Sequence, residues 1–311
     1  MTTLCVATDG GHLAQLVELG SRLGGLGNDT LWVTFETPQS RSLLADRKRV
    51  FIRPIGERDV RGVCRGVAAA HSIINSMEVD AVISTGSAIA LSFLPYAAAR
   101  GISAHYIESA ARVGSPSLTG RLLERIPRIQ LYRQYPHAAR GRWKYAGSVF
   151  DGFESSQAGE RQVRRVVVTL GSGVHGFRRL LDRLVAIIPP GLQVLWQTGS
   201  TPVDGLPIDA RPTVPAAALE DAIREADVVI GHAGCGSALT ALNSGKYPVL
   251  VPREPRYGEL VDSHQVELAR FLGERGLACH RSPETIIFED IVAAAARRVS
   301  RRATPSMLRL T

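Results

Sequence analysis

Short apolar runs alternate with longer amphipathic segments along the first half of the chain. Residues 12–23 and 60–75 repeat their apolar positions with a helical period. The runs around them have the length and the β-branched content of buried strands: residues 4–7, 30–35, 50–55, 81–84 and 103–107. This alternation predicts a mainly parallel sheet with crossover helices.

The same alternation starts again in the second half. Residues 151–160, DGFESSQAGE, are polar and rich in turn-forming residues, which predicts a linker. Residues 291–302 are rich in Ala and Arg and predict a basic C-terminal helix. Further strand-like runs lie at residues 165–170, 194–196, 228–230 and 249–251. The pattern therefore predicts an α/β chain of two Rossmann-like domains, residues 1–155 and 161–311, with parallel sheets facing a cleft.

One apolar segment has almost the length of a membrane span. Residues 81–99 carry no charge and approach the roughly 20 residues needed to cross a bilayer. The segment contains Ser84, Thr85, Gly86 and Pro95, so a buried strand followed by a buried helix is favoured over a span. The chain opens on strand residues without a charged segment before them, so no secretory signal is expected. The 4 cysteines form no CxxC pair, which is typical of a reduced cytoplasmic setting.

Residues 227–265 contain two consecutive strand-loop-helix patterns. The first loop, GHAGCGS, consists of small residues and leads directly into an Ala- and Leu-rich helical segment. A helix that begins in this way leaves its first N–H groups free, and its dipole favours an anion there. The loop therefore predicts a phosphate site formed by His232, Ala233, Gly234, Cys235, Gly236 and Ser237.

The second pattern predicts further ligand contacts. Its strand ends just before Arg253, and Asp262 and Ser263 offer an N-cap for the next helix. His264 and Gln265 follow, and both side chains can hydrogen bond to hydroxyl groups. Because ligands of parallel α/β sheets bind at the carboxyl edge, we expect these residues to lie near the first loop.

A third glycine-rich loop spells GxGxxG and includes Gly171, Ser172 and Gly173. Read alone, the spacing predicts a dinucleotide site, which requires an acidic residue at the end of the next strand. That strand ends here in Gln197 and Thr198. The loop therefore fits a nucleotide diphosphate better than a dinucleotide.

These motifs together resemble the donor half of glycosyltransferase family 28. The match includes GHAGCGS, the GK at Gly245 and Lys246, VPR ending in Arg253, and HQ at His264 and Gln265. In the first half, DGGH, STG and YIESAARVGSPSLTGRLL resemble the membrane-docking, acceptor-side subunit of a two-subunit UDP-GlcNAc transferase related to this family. The resemblance implies a natural fusion of both halves with the GT-B arrangement.

The resemblance implies an inverting glycosyltransferase. The donor would be a UDP-sugar carrying GlcNAc or another hexose or uronic acid, and the acceptor a lipid-linked or polysaccharide precursor. No Asp-x-Asp pair occurs, so we expect metal independence, with helix N-termini stabilising the leaving diphosphate and no cofactor besides the UDP-sugar co-substrate. Two alternatives stay open: a UDP-sugar epimerase or hydrolase, and a non-catalytic nucleotide-sugar-binding scaffold. The scaffold is suggested by Thr240, where many members of the family carry a Glu that binds both ribose hydroxyls.

Two residues are candidates for the base that activates the acceptor. His12 follows two glycines at the tip of the first strand, and an imidazole titrates near neutral pH. It can instead bind acceptor phosphate without proton transfer. Glu108 ends a predicted strand and is either the base or a partner that orients Arg112. The residues expected to bind the acceptor are Gly10, Gly11, Ser109, Arg112 and Ser117.

The charge of the chain is unevenly distributed. The formal net charge is +8, and arginine is concentrated in residues 41–65 and 112–144. A cationic first domain suits an anionic bilayer and a polyprenyl-diphosphate acceptor, although an Arg-rich genome gives the same bias. Nucleic acid is not expected, because no nucleic-acid-binding motif accompanies the charge. We therefore expect a cytoplasmic protein that associates peripherally with the inner face of the plasma membrane.

Overall fold

The computed structural model describes residues 2–23, 26, 29–56, 59–171, 173–303, 307–308 and 310. The chain divides into two compact units, the first made of residues 1–151 and 305–311 and the second of residues 152–304. The predicted Ser172 contact lies outside the described residues.

The first unit alternates strands and helices. Its strands are β1 (Thr2–Val6), β2 (Thr30–Phe35), β3 (Arg49–Ile52), β4 (Val79–Ser84), β5 (Ser103–Ile107), β6 (Ile129–Arg133) and β7 (Trp143–Tyr145). Its helices are α1 (Gly11–Gly20), α2 (Pro38–Leu43), α3 (Val60–Asn75), α4 (Ala88–Ala99) and α5 (Leu118–Leu123). Over the described residues, the strands form one parallel sheet in the order β3-β2-β1-β4-β5-β6-β7. The order reverses at β1, so the loops after β1 and β4 are neighbours at the carboxyl edge.

The second unit repeats this architecture. Its strands are β8 (Phe153–Gln157), β9 (Arg165–Thr169), β10 (Gln193–Gln197), β11 (Ala210–Arg211), β12 (Val228–Gly231), β13 (Val249–Leu250), β14 (Cys279–His280) and β15 (Arg297–Arg301). Its helices are α6 (Arg178–Ile187), α7 (Ala216–Glu225), α8 (Cys235–Asn243), α9 (His264–Glu274) and α10 (Phe288–Ala295). Over the described residues, the main sheet is parallel with the order β11-β10-β9-β12-β13-β14. Its order reverses at β9, between β10 and β12.

The predicted α/β fold with parallel sheets is confirmed. The apolar segment that approached the length of a span forms β4 and the buried helix α4, with Phe93 and Leu94 fully buried. Burying each such side chain contributes about 1.5–3 kcal/mol, which explains the continuous hydrophobicity without a lipid. No helix in the described part of the chain has the length and hydrophobicity needed to cross a bilayer.

Two predictions at the ends of the second half are wrong. The predicted linker, residues 151–160, contains β8. Within the predicted C-terminal helix, residues 291–302, Arg297–Arg301 pair with β8 as the antiparallel strand β15. The helix α10 ends at Ala295. Local propensity favoured a helix in this Ala-rich segment, but the ladder with β8 and the burial of Phe153 and Val299 override it.

The C-terminal residues group with the first unit, whereas the sequence boundaries assigned them to the second domain. Leu308 donates its N–H to the Arg22 carbonyl and lies beside Leu23 in an isolated parallel bridge. Leu308 also fills the space above Gly147, where a Cβ would lie 2.4 Å from the leucine Cδ2. This contact anchors the tail to α1 and to the loop after β7.

Candidate functional site

Two glycine-containing loops lie next to each other at the strand-order reversal of the second unit. The last residues of β9 and β12, Thr169 and Gly231, are register partners. The loop of Gly171 and the loop of His232 therefore leave the sheet from adjacent positions. Ligands of parallel α/β sheets bind at this carboxyl edge.

The His232 side chain packs between the two loops. A Cβ on Gly171 would lie 2.8 Å from its Cε1, and a Cβ on Gly234 would lie 2.3 Å from its Nε2. Nδ1 lies 3.3 Å from the Thr169 carbonyl, which can only accept, so Nδ1 carries the hydrogen. Burial and, to a smaller extent, the charge of nearby Arg253 lower the pKa of His232 to about 3. The ring is therefore neutral at physiological pH, and both glycines are needed to accommodate it.

The start of α8 presents unused backbone donors. The first helical hydrogen bond runs from the Ala238 N–H to the Gly234 carbonyl at 2.9 Å, so the preceding three amides have no acceptor within the helix. Ala233, at φ 60°, turns the chain into this position. Cys235 is buried, and burial raises the pKa of its thiol to about 12, so it packs as a small residue and is no nucleophile. Gly236 and Ser237 complete the first turn.

Arg253 brings a buried positive charge to the same edge. Its side chain is 4% exposed, and Nη2 donates to the Leu170 carbonyl at 2.9 Å. The guanidinium also lies over the Phe177 ring, 5.4 Å from the centroid. Burial lowers the pKa of Arg253 to about 10, and the described residues place no carboxylate within 4.0 Å of it. A buried guanidinium of this kind is an electrostatic partner for an anion.

Gln197, the last residue of β10, holds the Gly171 loop through hydrogen bonds, and Thr198 follows it. The Gln197 amide donates to the Gly171 carbonyl at 2.8 Å, and its oxygen accepts from the Thr169 hydroxyl. Thr198 is 1% exposed and its backbone N–H donates to the Arg211 carbonyl. These contacts fix the conformation of the Gly171 loop, whereas Gly173 has open space above its Cα.

Gln265, in the first turn of α9, contacts the same region. Its side-chain oxygen accepts from the Arg253 N–H at 3.1 Å, which joins α9 to the end of β13. Ser263 occupies the N-cap position of α9 but makes no side-chain capping hydrogen bond. Asp262 instead accepts from the His264 N–H and contacts the His264 Nδ1. Asp262 therefore fixes the orientation of the imidazole.

Thr240 lies in the second turn of α8. Its hydroxyl donates to the Gly236 carbonyl at 3.1 Å, four residues earlier. The hydroxyl can then offer a ligand only its acceptor lone pairs, and cannot reproduce the two-oxygen grip of a carboxylate.

In the first unit, His12 lies in the first turn of α1, at the equivalent reversal of strand order. Its Nδ1 lies 2.7 Å from the Thr85 carbonyl, so Nδ1 carries the hydrogen and Nε2 the lone pair. The Thr85 hydroxyl in turn donates to the His12 carbonyl at 2.9 Å. Burial lowers the pKa of His12, more strongly than its contact with Thr85 raises it. The ring is thus held in its neutral form, with the lone pair on Nε2.

Glu108 is occupied by hydrogen bonds within the first unit. The carboxylate is 1% exposed and accepts from the Tyr106 hydroxyl, the Ser109 N–H, and both the N–H and the hydroxyl of Ser117. A Cβ on Gly120 would lie 2.4 Å from its Oε2. This geometry favours a role in positioning the loop between β5 and α5 over one in proton transfer.

The predicted acceptor-binding residues surround these two side chains. Gly10, at φ 71°, is the N-cap of α1, and Gly11 is its first residue. Ser117 is the N-cap of α5, where its side chain accepts from the Gly120 N–H. Ser109 is buried, and the Arg112 N–H donates to its carbonyl. Arg112 also lowers the pKa of His12 through its charge.

Two buried polar side chains that hold the loop after β5 in place, Gln15 and Arg133, could not be identified from the sequence. The Gln15 side-chain oxygen accepts from the Ala110 N–H at 2.7 Å, and its nitrogen donates to the Gly11 carbonyl and to the Ser109 hydroxyl. Arg133 is 1% exposed and donates to the carbonyls of Arg112 and Gly114, so it is no surface charge. Neither role has a local signal, since both depend on partners about 20–100 residues away. In the described residues, no three His, Cys, Asp or Glu side chains converge as a metal-binding group.

Residues 166–306 match the C-terminal domain of glycosyltransferase family 28. A segment of 58 residues is 45% identical to the human UDP-N-acetylglucosamine transferase subunit ALG13 and covers 19% of this chain. The chain spans only 5% of the length of that relative.

Solved structures share the fold over nearly the whole chain. MurG from Acinetobacter baumannii superposes with a TM-score of 0.57 at 20% identity, covering 94% of this chain and 89% of that protein. The glycosyltransferase SsfS6 from Streptomyces sp. SF2575, solved with thymidine diphosphate, gives a TM-score of 0.53 at 21% identity, covering 95% and 90%. The fold is that of the GT-B glycosyltransferases.

Proposed function

We propose that this chain, whose residues 166–306 match the C-terminal domain of glycosyltransferase family 28, is a glycosyltransferase of that family and transfers a sugar from a UDP-sugar to a lipid-linked or polysaccharide-precursor acceptor. The sugar is GlcNAc or another hexose or uronic acid, and the reaction inverts the anomeric centre without a metal ion. One observation carries the donor half of this proposal. The Gly171 loop, the His232 loop and Arg253 converge at the strand-order reversal of the second sheet.

The chemistry of sugar transfer requires stabilisation of the leaving diphosphate. The anomeric C–O bond breaks, and its electron pair goes to the β-phosphate oxygen of UDP. The free amides at the start of α8 and the guanidinium of Arg253 supply donors and positive charge for that anion. His232 is neutral and contributes by fixing the two loops against each other.

The acceptor hydroxyl must lose a proton as it attacks. His12 is our choice for the base, because its Nε2 holds the lone pair while Thr85 fixes the ring. Glu108 would have to give up four donors to accept that proton, so we assign it to positioning the loop of Ser109 and Ser117.

A lipid-linked acceptor requires access to a membrane. Leu118 and Leu122 are 59% and 38% exposed, and they share one face of α5 with Arg121. Arg125 and Arg128 follow with exposed side chains. Exposed leucines among arginines suit peripheral docking on an anionic cytoplasmic leaflet, with each basic residue contributing about 1 kcal/mol.

Calorimetry with UDP, UDP-GlcNAc, UDP-glucose, UDP-galactose and UDP-glucuronate tests the donor assignment and selects the sugar. The proposal expects binding of UDP and tighter or productive binding of at least one UDP-sugar in the presence of EDTA. A chain that binds none of the five contradicts it.

A second candidate is a nucleotide-sugar-binding protein without transfer activity. Thr240 favours it, because its hydroxyl already donates to the Gly236 carbonyl and cannot replace a carboxylate on the ribose. Binding of a UDP-sugar without release of UDP in the presence of lipid-linked acceptors would support this candidate. Thr240→Glu should then strengthen UDP binding without producing turnover.

A further inference from the structure

A basic pocket lies at the amino edge of the second sheet, opposite to the donor loops. Its volume is about 330 Å³. Lys246 lies in the short segment before β13, and Asp227 immediately precedes β12, so both mark the amino ends of their strands. The GK motif, Gly245 and Lys246, belongs to the donor-half resemblance, but Lys246 lies in this pocket and not among the donor loops.

Cations outnumber available anions in this pocket. Five cationic residues line it: Arg161, Arg224, Lys246, Arg297 and Arg298. Arg161 and Arg298 have exposed side chains and make no ion pair or side-chain hydrogen bond with the described residues. The acids on the wall are engaged: Glu225 pairs with Arg165 at 3.2 Å, and Asp227 accepts two backbone N–H bonds at 2.8 and 2.9 Å.

Two of the lining cations are held in place by the fold. The Lys246 ammonium donates to the Ala226 carbonyl at 2.5 Å, at the C-terminus of α7. Arg297 stacks 4.4 Å from the Tyr247 centroid and donates to the Ser155 hydroxyl at 2.8 Å. Burial lowers the pKa of Lys246, and the charges of Arg298 and Arg161 lower it further, whereas the charge of Asp227 raises it. The cations therefore repel one another, and an anion between them would relieve that repulsion.

We propose that this pocket binds a phosphate group, carried either by a phospholipid headgroup or by a soluble phosphate. The planar guanidinium groups of Arg161 and Arg298 match the paired oxygens of a phosphate, and Lys246 adds a fixed point charge. A solvated basic surface would need neither a concave wall nor a lysine anchored at its base. This site is separate from the donor loops, so it does not depend on the donor assignment.

The test compares two variants of equal charge. Arg161→Gln/Arg298→Gln removes the two free arginines of the pocket. Arg100→Gln/Arg270→Gln removes two exposed arginines outside it and is the control. All proteins are titrated with inorganic pyrophosphate in the presence of excess UDP, and sedimented with phosphatidylcholine vesicles that contain or lack phosphatidic acid. Because the donor loops are the same in all three proteins, any pyrophosphate bound there cancels in the comparison.

We expect the pocket variant to lose affinity about tenfold or more, while the control stays within about twofold of the wild type. A selective loss of pyrophosphate binding identifies a soluble phosphate as the ligand class, and a selective loss of phosphatidic acid binding identifies a lipid headgroup. Equal behaviour of the two variants towards both probes overturns the proposal. Thermal unfolding of each variant checks that the fold is retained, and the single variant Arg298→Gln replaces the double variant if it is not.

Discussion

Replacing Gly234 with alanine should destabilise the second unit through a collision with His232. The added Cβ would lie 2.3 Å from the imidazole Nε2, far inside contact distance. The ring cannot retreat, because Gly171 packs on it closely enough that a Cβ there would lie 2.8 Å from Cε1. Gly234 itself has φ −74°, which alanine adopts without strain. The cost is therefore overpacking alone, and we expect about 1–3 kcal/mol.

Urea unfolding of five proteins measures this effect: wild type, Gly234→Ala, His232→Ala, Gly173→Ala and Gly234→Ala/His232→Ala. Gly173 is the matched control, because its Cβ would meet nothing within 4 Å. Removing the imidazole should relieve the collision, so the double variant should show a coupling energy of about 1–3 kcal/mol relative to the single variants. Hydrogen exchange localises the change to the second unit. Equal stability of Gly234→Ala and Gly173→Ala, or additive single effects, would refute the packing assigned to His232.

Four further predictions concern chemistry, pH and membranes. His12→Ala should lower turnover by about 10² to 10⁴-fold with little change in UDP affinity, and activity should persist in EDTA; an unchanged rate would remove His12 as the base. Burial lowers the pKa of His12 from its ordinary value of 6.5, so the neutral form that accepts the proton persists at that pH. The wild-type rate should therefore fall only at a pH below 6.5. Burial also lowers the pKa of His232 to about 3, so between pH 6.5 and about 3 only the unfolded chain binds this proton. As the pH decreases through that range, His232 should lower the free energy of unfolding by about 1.4 kcal/mol for each pH unit, and His232→Gln should abolish this contribution. Identical pH slopes for the wild type and His232→Gln would contradict it. Binding to phosphatidylglycerol vesicles should be released by salt and weakened by Arg121→Gln/Arg125→Gln, since the Debye length shrinks from about 8 Å at physiological ionic strength to about 3 Å at 1 M; salt-resistant binding would contradict electrostatic docking.

The sequence predicted those features that depend on local pattern. The alternation of strands and helices and the parallel sheets follow from periodicity, and the position of the His232 loop at the carboxyl edge follows from the rule for ligand sites in such sheets. It failed where pairing overrides propensity, as in β15, whose ladder partner β8 was hidden in a polar segment. It also could not show that Gly234 accommodates the His232 ring.

Buried polar connectors were equally invisible in the sequence. Gln15 and Arg133 fix the loop after β5 through partners that are distant along the chain. From its position in a predicted helix, a glutamine is expected to be solvated, and an arginine in a basic segment is expected to lie on the surface. Only the fold brings buried carbonyl and amide groups to them, and a buried polar side chain requires such partners.

The proposed binding of the UDP-sugar diphosphate beside Arg253 in the second unit is tested most directly by UDP affinity in EDTA. Arg253→Gln is compared with Arg256→Gln, which removes an exposed arginine three residues later that pairs with Glu254. Hydrogen bonds to charged groups contribute about 1.5–3 kcal/mol, so Arg253→Gln should weaken UDP binding about 10- to 150-fold, and Arg256→Gln less than about twofold. Failure of the folded wild type to bind UDP, or equal affinity of the two variants, would contradict the account.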